Sequence, residues 1–198
     1  MSVSVIEKGY NGSTLVGLKS KLYEQRIVFL EGEINSETAC EFTREMMFLI
    51  KDDEKPITIF INSNGGEVTA GLQIVDVISS CKVPVYICCI GHAYSIAALI
   101  LSSGEKGHRF ILPLSKVMIH ELYIDSTGGT AVSVKNTADS MLKTRMLING
   151  LLAKYTAKSI EEINQVMVHD FYLDANAAVE FGIVDKVLGF QEMLEVTS

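Results

Sequence analysis

Short apolar runs that alternate with helical patterns dominate the first half of the chain. RIVFL at 26–30 and ITIFI at 57–61 are rich in β-branched residues and apolar on both faces, which is typical of strands covered on both sides. A helical pattern follows each run, with Ser36 placed to cap the first, and the run at 85–90 is likewise followed by a helical pattern at 95–103. This alternation predicts an α/β fold with a parallel sheet and crossover helices.

The second half of the chain is predicted to contain two further strands and then mainly helices. Ser159 and Glu162 have the spacing of a capping box, and Gly182 suits the residue after a helix end. The predicted elements are, in order, strands at 109–112 and 116–120, a polar glycine-containing loop at 125–130, and helices at 131–155, from Ser159, and at 175–181.

The composition indicates one compact domain. Of 198 residues, 48% are hydrophobic and three are proline, and neither an internal repeat nor a Pro/Gly-rich linker divides the chain. We therefore expect a single domain over residues 1–198. The formal charge is −7 and no Lys/Arg-rich block is present, so a nucleic acid would be repelled rather than bound.

The sequence predicts a cytoplasmic protein that does not span a membrane. The first ten residues include Glu7 and Lys8 and lack the apolar region of a secretory signal. Residues 83–104 carry no charge over 22 positions, but Pro84 and Gly91 interrupt them, which favours a buried strand, a turn and a buried helix. The four cysteines lack metal-ligand spacing, so we expect reduced core residues and no metal site.

Two junctions between a predicted strand and a helix could carry chemistry, because a helix N-terminus offers free N–H groups to an anion. The first, NSNGG at 62–66, has paired glycines that permit a sharp turn. The second, GHAYS at 91–95, places Ser95 at the start of an apolar helix. Ser95 could be only a helix N-cap, since the Gly-x-Ser-x-Gly elbow is absent and Ala93 and Ala97 flank the serine.

A serine nucleophile needs a base within hydrogen-bond reach, and the chain has four histidines as candidates. His120 ends an apolar run and should emerge at an edge of the sheet, where sites on open sheets form, although a core position is an alternative. His108 lies in a polar turn and is expected to be solvated. His92 belongs to the turn before Ser95, and His169 lies near a predicted helix end.

Five ordered motifs together resemble the family of Clp protease proteolytic subunits. The similarity extends over about residues 21–188, nearly the whole chain. The motifs are RIVFLEGEI at 26–34, INSNGGEVTAG at 61–71, IGHAYSIAALIL at 90–101, VMIH at 117–120 and ANAAVEFGIVDKVL at 175–188. No single motif is decisive, and the resemblance is carried by their order and spacing.

The resemblance implies a Ser-His-Asp triad. Ser95 falls on the nucleophile of the family and His120 on its general base. Asp170 is expected to be the acid because it shortly precedes the stretch YLDA, although it lies one residue further from His120 than the family pattern predicts. Asp174 is the rival acid, but we expect it to cap a helix.

The resemblance also implies an oxyanion hole and an assembly. The N–H groups of Gly66 and Ile96 fall on the oxyanion hole of the family. The implied fold is crotonase-like, a βαβ superhelix with an axial segment over 1–20 and a protruding handle region over about 121–155, whose long helix begins at Ala131. Subunits would form two stacked heptameric rings that receive unfolded polypeptides from an AAA+ Clp unfoldase. That partner would use the ATP, since the chain has no Walker motif and no cofactor is expected.

Several positions depart from the family pattern. Glu121 follows His120 in place of a glutamine, and a carboxylate that approached the imidazole would favour its protonated form. Of the aromatic residues that form the docking pocket for the ATPase, Phe60 is retained, whereas Thr58 and Ser80 stand at two other positions. The charged pair that precedes the catalytic acid and helps to join subunits within a ring is also absent.

Three functions are compatible with these features. An active serine endopeptidase would use the complete set of triad residue types, whereas the departures favour a non-catalytic or weakly active ring subunit that pairs with another member of the family. An acyl-CoA enzyme of the crotonase group would not need Ser95, His120 and Asp170 together. A Ser/Lys dyad would need a lysine near Ser95, and Lys143 and Lys154 are expected to be remote.

Overall fold

The computed structural model describes residues 3–9, 12–52, 55–123 and 128–197. In chain order, the elements are β1 (Ser4–Gly9), β2 (Gly12–Gly17), α1 (Leu18–Glu24), β3 (Ile27–Ile34), α2 (Ser36–Asp52), β4 (Ile57–Gly66), α3 (Val68–Ser80), β5 (Val85–Tyr94), α4 (Ile96–Ser102), β6 (Arg109–Ile111), β7 (Lys116–Ile119), α5 (Ala131–Thr156), α6 (Ile160–Val166), β8 (Phe171–Leu173), α7 (Ala175–Phe181), β9 (Lys186–Val187) and α8 (Phe190–Val196). The predicted alternation of strand and helix is present from β3 to α4.

Parallel strands form the central sheet, in the order β3-β4-β5-β6-β9. β5 has two successive neighbours on one side, because it pairs first with β6 and then, nearer its carboxyl end, with β7. β8 runs antiparallel to β7 and extends the sheet there. The prediction of an α/β fold with a parallel sheet is confirmed, and β8 is an antiparallel addition that the sequence pattern did not indicate.

Apolar side chains cover both faces of this sheet, which explains why its strands read as continuous apolar runs. On one face, Ile57, Ile59 and Ile61 are fully buried in the main core with side chains of the crossover helices. The opposite face carries a smaller cluster of buried residues, formed by Ile27, Phe60, Cys88, Phe110 and Met193.

Helix α8, which the sequence analysis did not predict, covers part of the smaller cluster. Its residue Met193 is fully buried there, next to Phe60. Thr58 is also buried and its hydroxyl donates to the Thr197 carbonyl, 3.5 Å away. Two positions that the resemblance assigns to a docking pocket, Thr58 and Phe60, are therefore both inside the protein.

The helix ends follow the local rules with one correction. The Asn35 side chain accepts a hydrogen bond from the Thr38 amide at 2.9 Å, so Asn35 and not Ser36 caps α2. Ser36 is instead the first residue of the helix. The predicted capping box of Ser159 and Glu162 is present at the start of α6.

The N-terminal hairpin is a second element that the sequence analysis missed. β1 and β2 pair in the antiparallel direction from Ser4–Gly17 to Gly9–Gly12, and α1 begins directly afterwards. The predicted axial segment, residues 1–20, contains this hairpin and the first turn of α1. The predicted polar loop at 125–130 lies outside the described residues at 125–127.

Helix α5 projects most of its length away from the core. Its buried residues, Ile148, Asn149, Leu152 and Thr156, all lie in the last third of the helix. Large apolar side chains that precede these buried residues in the helix are exposed, among them Leu142, Met146 and Leu147. A long helix that is anchored at one end matches the predicted handle helix, and its first residue, Ala131, is the one that the sequence predicted.

The cysteines behave as core residues or isolated thiols. All four are free, and burial raises the pKa of the Cys88 and Cys89 thiols to about 12. Within the described ranges, no helix is long and apolar enough to cross a membrane. The same residues contain no group of three or more His, Cys, Asp or Glu side chains that could hold a metal ion.

Candidate active site

Ser95 occupies a strained turn between β5 and α4. Its backbone angles are φ 56° and ψ −126°, values that a residue with a side chain rarely adopts and that typically require support from the surrounding structure. The Ser95 amide donates to the Met118 carbonyl at 2.8 Å, which ties the turn to β7. The Ser95 hydroxyl makes no cap hydrogen bond to α4, so the alternative role of a helix N-cap is excluded.

The hydroxyl of Ser95 instead contacts His120. Nε2 of His120 lies 2.8 Å from Oγ of Ser95, and both residues are half-buried. This distance is within the range in which an imidazole can accept a hydroxyl proton. The structure thus brings together the two residues that the sequence analysis selected as nucleophile and base.

The meeting of these residues follows from the pairing of β5 with β7. His92, Ala93 and Tyr94 are paired in parallel with Lys116, Val117 and Met118. Because the strands are parallel, their carboxyl ends lie at the same edge of the sheet, and the next residues emerge side by side. Ser95 directly follows β5, and His120 directly follows β7.

Asp170 directly precedes β8, at the position that faces His120 if the strand register is continued by one step, but in the described part of the chain no hydrogen bond or ion pair joins the two side chains. β7 and β8 are paired with Ile119 opposite Phe171, so that one further step of the antiparallel register places His120 opposite Asp170. Asp170 is exposed, and among the described residues no hydrogen bond joins it to His120. The backbone position fits the predicted acid, and its role as a triad member stays a prediction.

Asp174 has the structural role expected of it. Its Oδ1 accepts a hydrogen bond from the Ala177 amide at 2.9 Å and caps α7. A carboxylate engaged at a helix N-terminus is less suited to orient an imidazole. The rival assignment therefore loses support.

The paired glycines at the end of β4 are closely packed, Gly65 against the Ser95 turn and Gly66 against the end of β3. A Cβ on Gly65 would lie 2.7 Å from the Tyr94 carbonyl oxygen and 2.8 Å from Cβ of Ser95. On Gly66 it would lie 2.2 Å from the Ile34 carbonyl oxygen. Both positions also have positive φ, at 89° and 151°, so they require glycine for space and for conformation.

Ser63 is a residue of this turn that the sequence analysis did not single out. Its hydroxyl accepts a hydrogen bond from the Gly65 amide at 3.0 Å and donates to the Gly32 carbonyl. Ser63 is almost fully buried. A serine two residues before a glycine is a common local turn pattern, and this pattern was the sequence feature from which the role of Ser63 could have been predicted.

An apolar pocket of about 220 Å³ opens beside Ser95 and His120. Its walls come from α3, α4, α5 and the segments after β7 and α6. Gly66 and Ile96, the predicted oxyanion-hole residues, both line this pocket. Its apolar lining consists mainly of Val68, Leu99, Ile119, Leu122, Ile148, Leu152 and Met167.

Among the described residues, none of the other three histidines forms a hydrogen bond with Ser95. The expectation that His108 is solvated is wrong, because its ring stacks on Tyr86 with centroids 4.1 Å apart and its Nδ1 is buried. His92 packs near Tyr94, 4.8 Å between ring centroids, and its amide donates to Asn62. His169 is exposed.

Glu121, which follows His120, forms an ion pair with a residue of α5. Its Oε1 lies 2.8 Å from Nε of Arg145 on α5, and among the described residues no hydrogen bond or ion pair joins it to His120. No local pattern in the sequence indicates this partner, because the two residues are 24 positions apart in the chain.

The fold and this site define a class of protein: an α/β protein with a serine and a histidine hydrogen-bonded at the carboxyl edge of a parallel sheet. A sequence model of the Clp protease family matches residues 10–191 of the 198 residues. The chain belongs to the Clp protease family, whose members are peptidases that form rings and work with Clp ATPases. The mixed α/β architecture, with its parallel sheet and crossover helices, is compatible with the fold of that family.

Proposed function

We propose that the chain is a serine endopeptidase that hydrolyses peptide bonds of unfolded polypeptides. The observation that carries this proposal is the 2.8 Å contact between Oγ of Ser95 and Nε2 of His120. Ser95 lies in a turn with a strained backbone, and its hydroxyl does not cap the helix that follows. A serine hydroxyl has several structural uses, but a helix cap does not account for this one, since Ser95 makes no side-chain cap hydrogen bond.

In the proposed reaction, His120 removes the proton from Ser95 while Oγ attacks the substrate carbonyl carbon. The carbonyl oxygen becomes an oxyanion, and the N–H groups of Gly66 and Ile96 donate to it. His120 then gives the proton to the leaving amine, which leaves an acyl group on Ser95. A water molecule attacks this ester, with His120 again as the base, and releases the acid and the free serine.

The Gly66 amide is suited to this role by the strand pattern around it. The next amide, of Glu67, donates to the Ile34 carbonyl on β3 at 2.7 Å. Successive amides of an extended chain point to opposite sides, so the Gly66 amide is directed away from β3, toward β5 and Ser95. Asp170 would complete the triad by orienting His120 once its side chain turns inward.

We further propose that the subunit works inside two stacked heptameric rings. The exposed apolar side chains of α5 favour contacts between copies of the chain, because apolar surface on a projecting helix gains from burial. An AAA+ Clp unfoldase would deliver substrates and use the ATP, and the chain itself would need no cofactor or metal. We expect it to act in the cytoplasm.

A fluorophosphonate probe tests the chemistry. The purified protein is expected to be labelled at Ser95, as mapped by peptide mass spectrometry, and His120→Ala is expected to abolish the labelling. Native mass spectrometry is expected to show a large ring. If intact rings remain unlabelled, the endopeptidase proposal is wrong.

A second candidate function is a non-catalytic or weakly active ring subunit that pairs with another member of the family. It is favoured by the exposed Asp170, which makes no hydrogen bond to His120 among the described residues, and by the burial of Thr58 and Phe60. Peptidase assays of the chain alone and mixed with a second family member separate the candidates. Activity that depends on Ser95 in the mixture supports the first.

A further inference from the structure

The pairing of β5 changes neighbours at one short segment just upstream of Ser95. Up to Cys89 the strand is paired with β6, with Cys89 opposite Ile111. From His92 onward it is paired with β7, with His92 opposite Lys116. The two residues between, Ile90 and Gly91, belong to neither ladder.

The same segment forms a bulge relative to β4. Ile61 is opposite Cys89, but Ser63 is opposite Ala93, so three residues of β5 lie against one residue of β4. Bulges of this kind redirect a strand and are common next to active sites. If β5 were paired regularly with β4 after Cys89, Ala93 would lie opposite Gly65 instead of Ser63, and Ser95 would be shifted two residues further along β4.

Ser115 holds this bulge on the β7 side. Its hydroxyl accepts a hydrogen bond from the Gly91 amide at 2.8 Å and is directed at the Cys89 carbonyl, 3.4 Å away. One hydroxyl thus bridges both ends of the unpaired segment. Ser115 is only 3% exposed and directly precedes β7, so it links the bulge to the strand that carries His120.

Asn62 holds the opposite side of the bulge. Its Oδ1 accepts from the His92 amide at 3.3 Å. Gly91 fits against this side chain, since a Cβ there would lie 2.8 Å from Oδ1 of Asn62, and its φ is +90°. The bulge is therefore defined from both sides by side chains and not by strand pairing alone.

We propose that Ser115 is a positioning residue for the pair Ser95 and His120, which it aligns by fixing the bulge that brings β5 and β7 into register, with Asn62 as its counterpart on β4. The inference rests on the proposed function of that pair. Ser115 touches neither side chain of the pair and acts through the backbone of β5 and β7.

Ser115→Ala tests the proposal, with Ser102→Ala as the matched control. Ser102 is also a buried serine, but its hydroxyl donates to the Leu99 carbonyl of its own helix, at 2.8 Å. Peptide hydrolysis is measured per active site, by titration with the fluorophosphonate, together with the thermal unfolding midpoint. For Ser115→Ala we expect kcat to fall roughly tenfold to a hundredfold with little change in KM, since small misplacements of a nucleophile have effects of this size.

Ser102→Ala is expected to lower the unfolding midpoint while kcat per active site stays that of the wild type. Ser115→Thr keeps the hydroxyl and is expected to recover most of the lost kcat, and Asn62→Asp, which keeps the acceptor, is expected to stay more active than Asn62→Leu. If Ser115→Ala and Ser102→Ala have the same kcat per active site as the wild type, Ser115 has no positioning role.

Crystal structures of the two alanine variants provide a readout that does not need activity. In Ser115→Ala the distance from Oγ of Ser95 to Nε2 of His120 is expected to exceed hydrogen-bond length, and in Ser102→Ala it is expected to stay near 2.8 Å. An unchanged distance in Ser115→Ala overturns the inference. Absence of labelling in the wild type would instead overturn the proposed function, and the distances would still decide the role of Ser115.

Discussion

Arg145 of the long helix α5 forms an ion pair with Glu121, the residue that follows His120, with Nε 2.8 Å from Oε1. The pair joins the segment after the proposed base to the helix that supplies Ile148 and Leu152 to the pocket. The handle helix is therefore connected to the site through a charge as well as through packing.

Removal of this cation is expected to change the pH dependence of catalysis. In Arg145→Gln the Glu121 carboxylate loses its partner, and a nearby negative charge favours the protonated imidazole, which cannot act as a base. The acidic limb of the kcat/KM profile should therefore move to higher pH. The double variant Glu121→Gln with Arg145→Gln should return the limb to its original position, and a limb that does not move in Arg145→Gln contradicts the prediction.

The glycine at position 65 is expected to be essential for the reactivity of Ser95. Gly65→Ala would force a Cβ against Cβ of Ser95 and the Tyr94 carbonyl, at a φ of +89°. We expect the rate of fluorophosphonate labelling to fall about a hundredfold. Gly150→Ala is the control, because its Cβ would have nothing within 4 Å and alanine favours the helix, by about 0.5–1 kcal/mol. Equal labelling rates for the two variants would show that the close packing is unimportant.

The pocket beside Ser95 is expected to select apolar side chains. A peptide library should show cleavage mainly after residues such as Leu or Met, with charged residues disfavoured by roughly a hundredfold because their burial is costly. Met167→Ala enlarges the pocket and should shift the preference toward aromatic side chains. Met193→Ala removes the same atoms from the distant smaller cluster, so it should reduce stability by about 2–5 kcal/mol without a shift in preference.

Asp170 is expected to be the third member of the catalytic group. Asp170→Asn preserves shape but removes the negative charge opposite His120, and kcat should fall by roughly a hundredfold or more. Asp174→Asn is the control, since asparagine also caps helices and should keep both α7 and the activity. If Asp170→Asn retains wild-type kcat, another group orients His120 and the triad assignment is wrong.

The ion pair of Arg109 with Asp185 is expected to make folding stability sensitive to acid. Burial would by itself raise the pKa of Asp185, but hydrogen bonds from the Arg109 side chain and backbone, its charge and the Gly107 amide outweigh burial and lower that pKa below its usual value. The guanidinium also donates to the Ser102 and Tyr155 carbonyls. Through these contacts, Arg109 and Asp185 connect the C-terminal ends of α4 and α5 to the residue just before β9.

Because the folded-state pKa of Asp185 is depressed, its contribution is present above the unfolded value of about 3.9 and is lost as the pH falls through the folded value. At pH 7, Asp185→Asn should reduce the free energy of unfolding by about 3 kcal/mol, since it leaves a buried guanidinium unpaired. The difference from the wild type should shrink below pH 4, as measured by urea unfolding. Asp139→Asn, which breaks the exposed pair with Lys135, should change stability by less than about 0.5 kcal/mol. A difference independent of pH would contradict this account.

The sequence predicted those parts of the fold that depend on local patterns. Alternating apolar runs and helical periods indicated the sheet and its crossovers, and the capping box at Ser159 was read correctly because its residues lie three positions apart. Asn35 was missed as a cap because the neighbouring Ser36 satisfies the same local preference. The hairpin β1–β2 and helix α8 carry weak apolar patterns, since most of their side chains are exposed.

The rest of the fold and of the site depends on contacts between residues that are far apart in the sequence. The stacking of His108 on Tyr86 joins residues of neighbouring strand regions, and the ion pair of Glu121 with Arg145 joins residues 24 positions apart in the chain. No short-range rule connects such positions. Their proximity is a consequence of strand order and of where each strand changes its neighbour.

The sequence by itself determined which residue types were available for chemistry and where they stood in the chain: a serine after one buried strand and a histidine after another. Only the tertiary structure decided that their side chains meet, because the pairing of β5 with β7 depends on a bulge at Ile90 and Gly91 and on the buried hydroxyl of Ser115. Side-chain chemistry is a local property of a residue. The register of two strands depends on every contact along them.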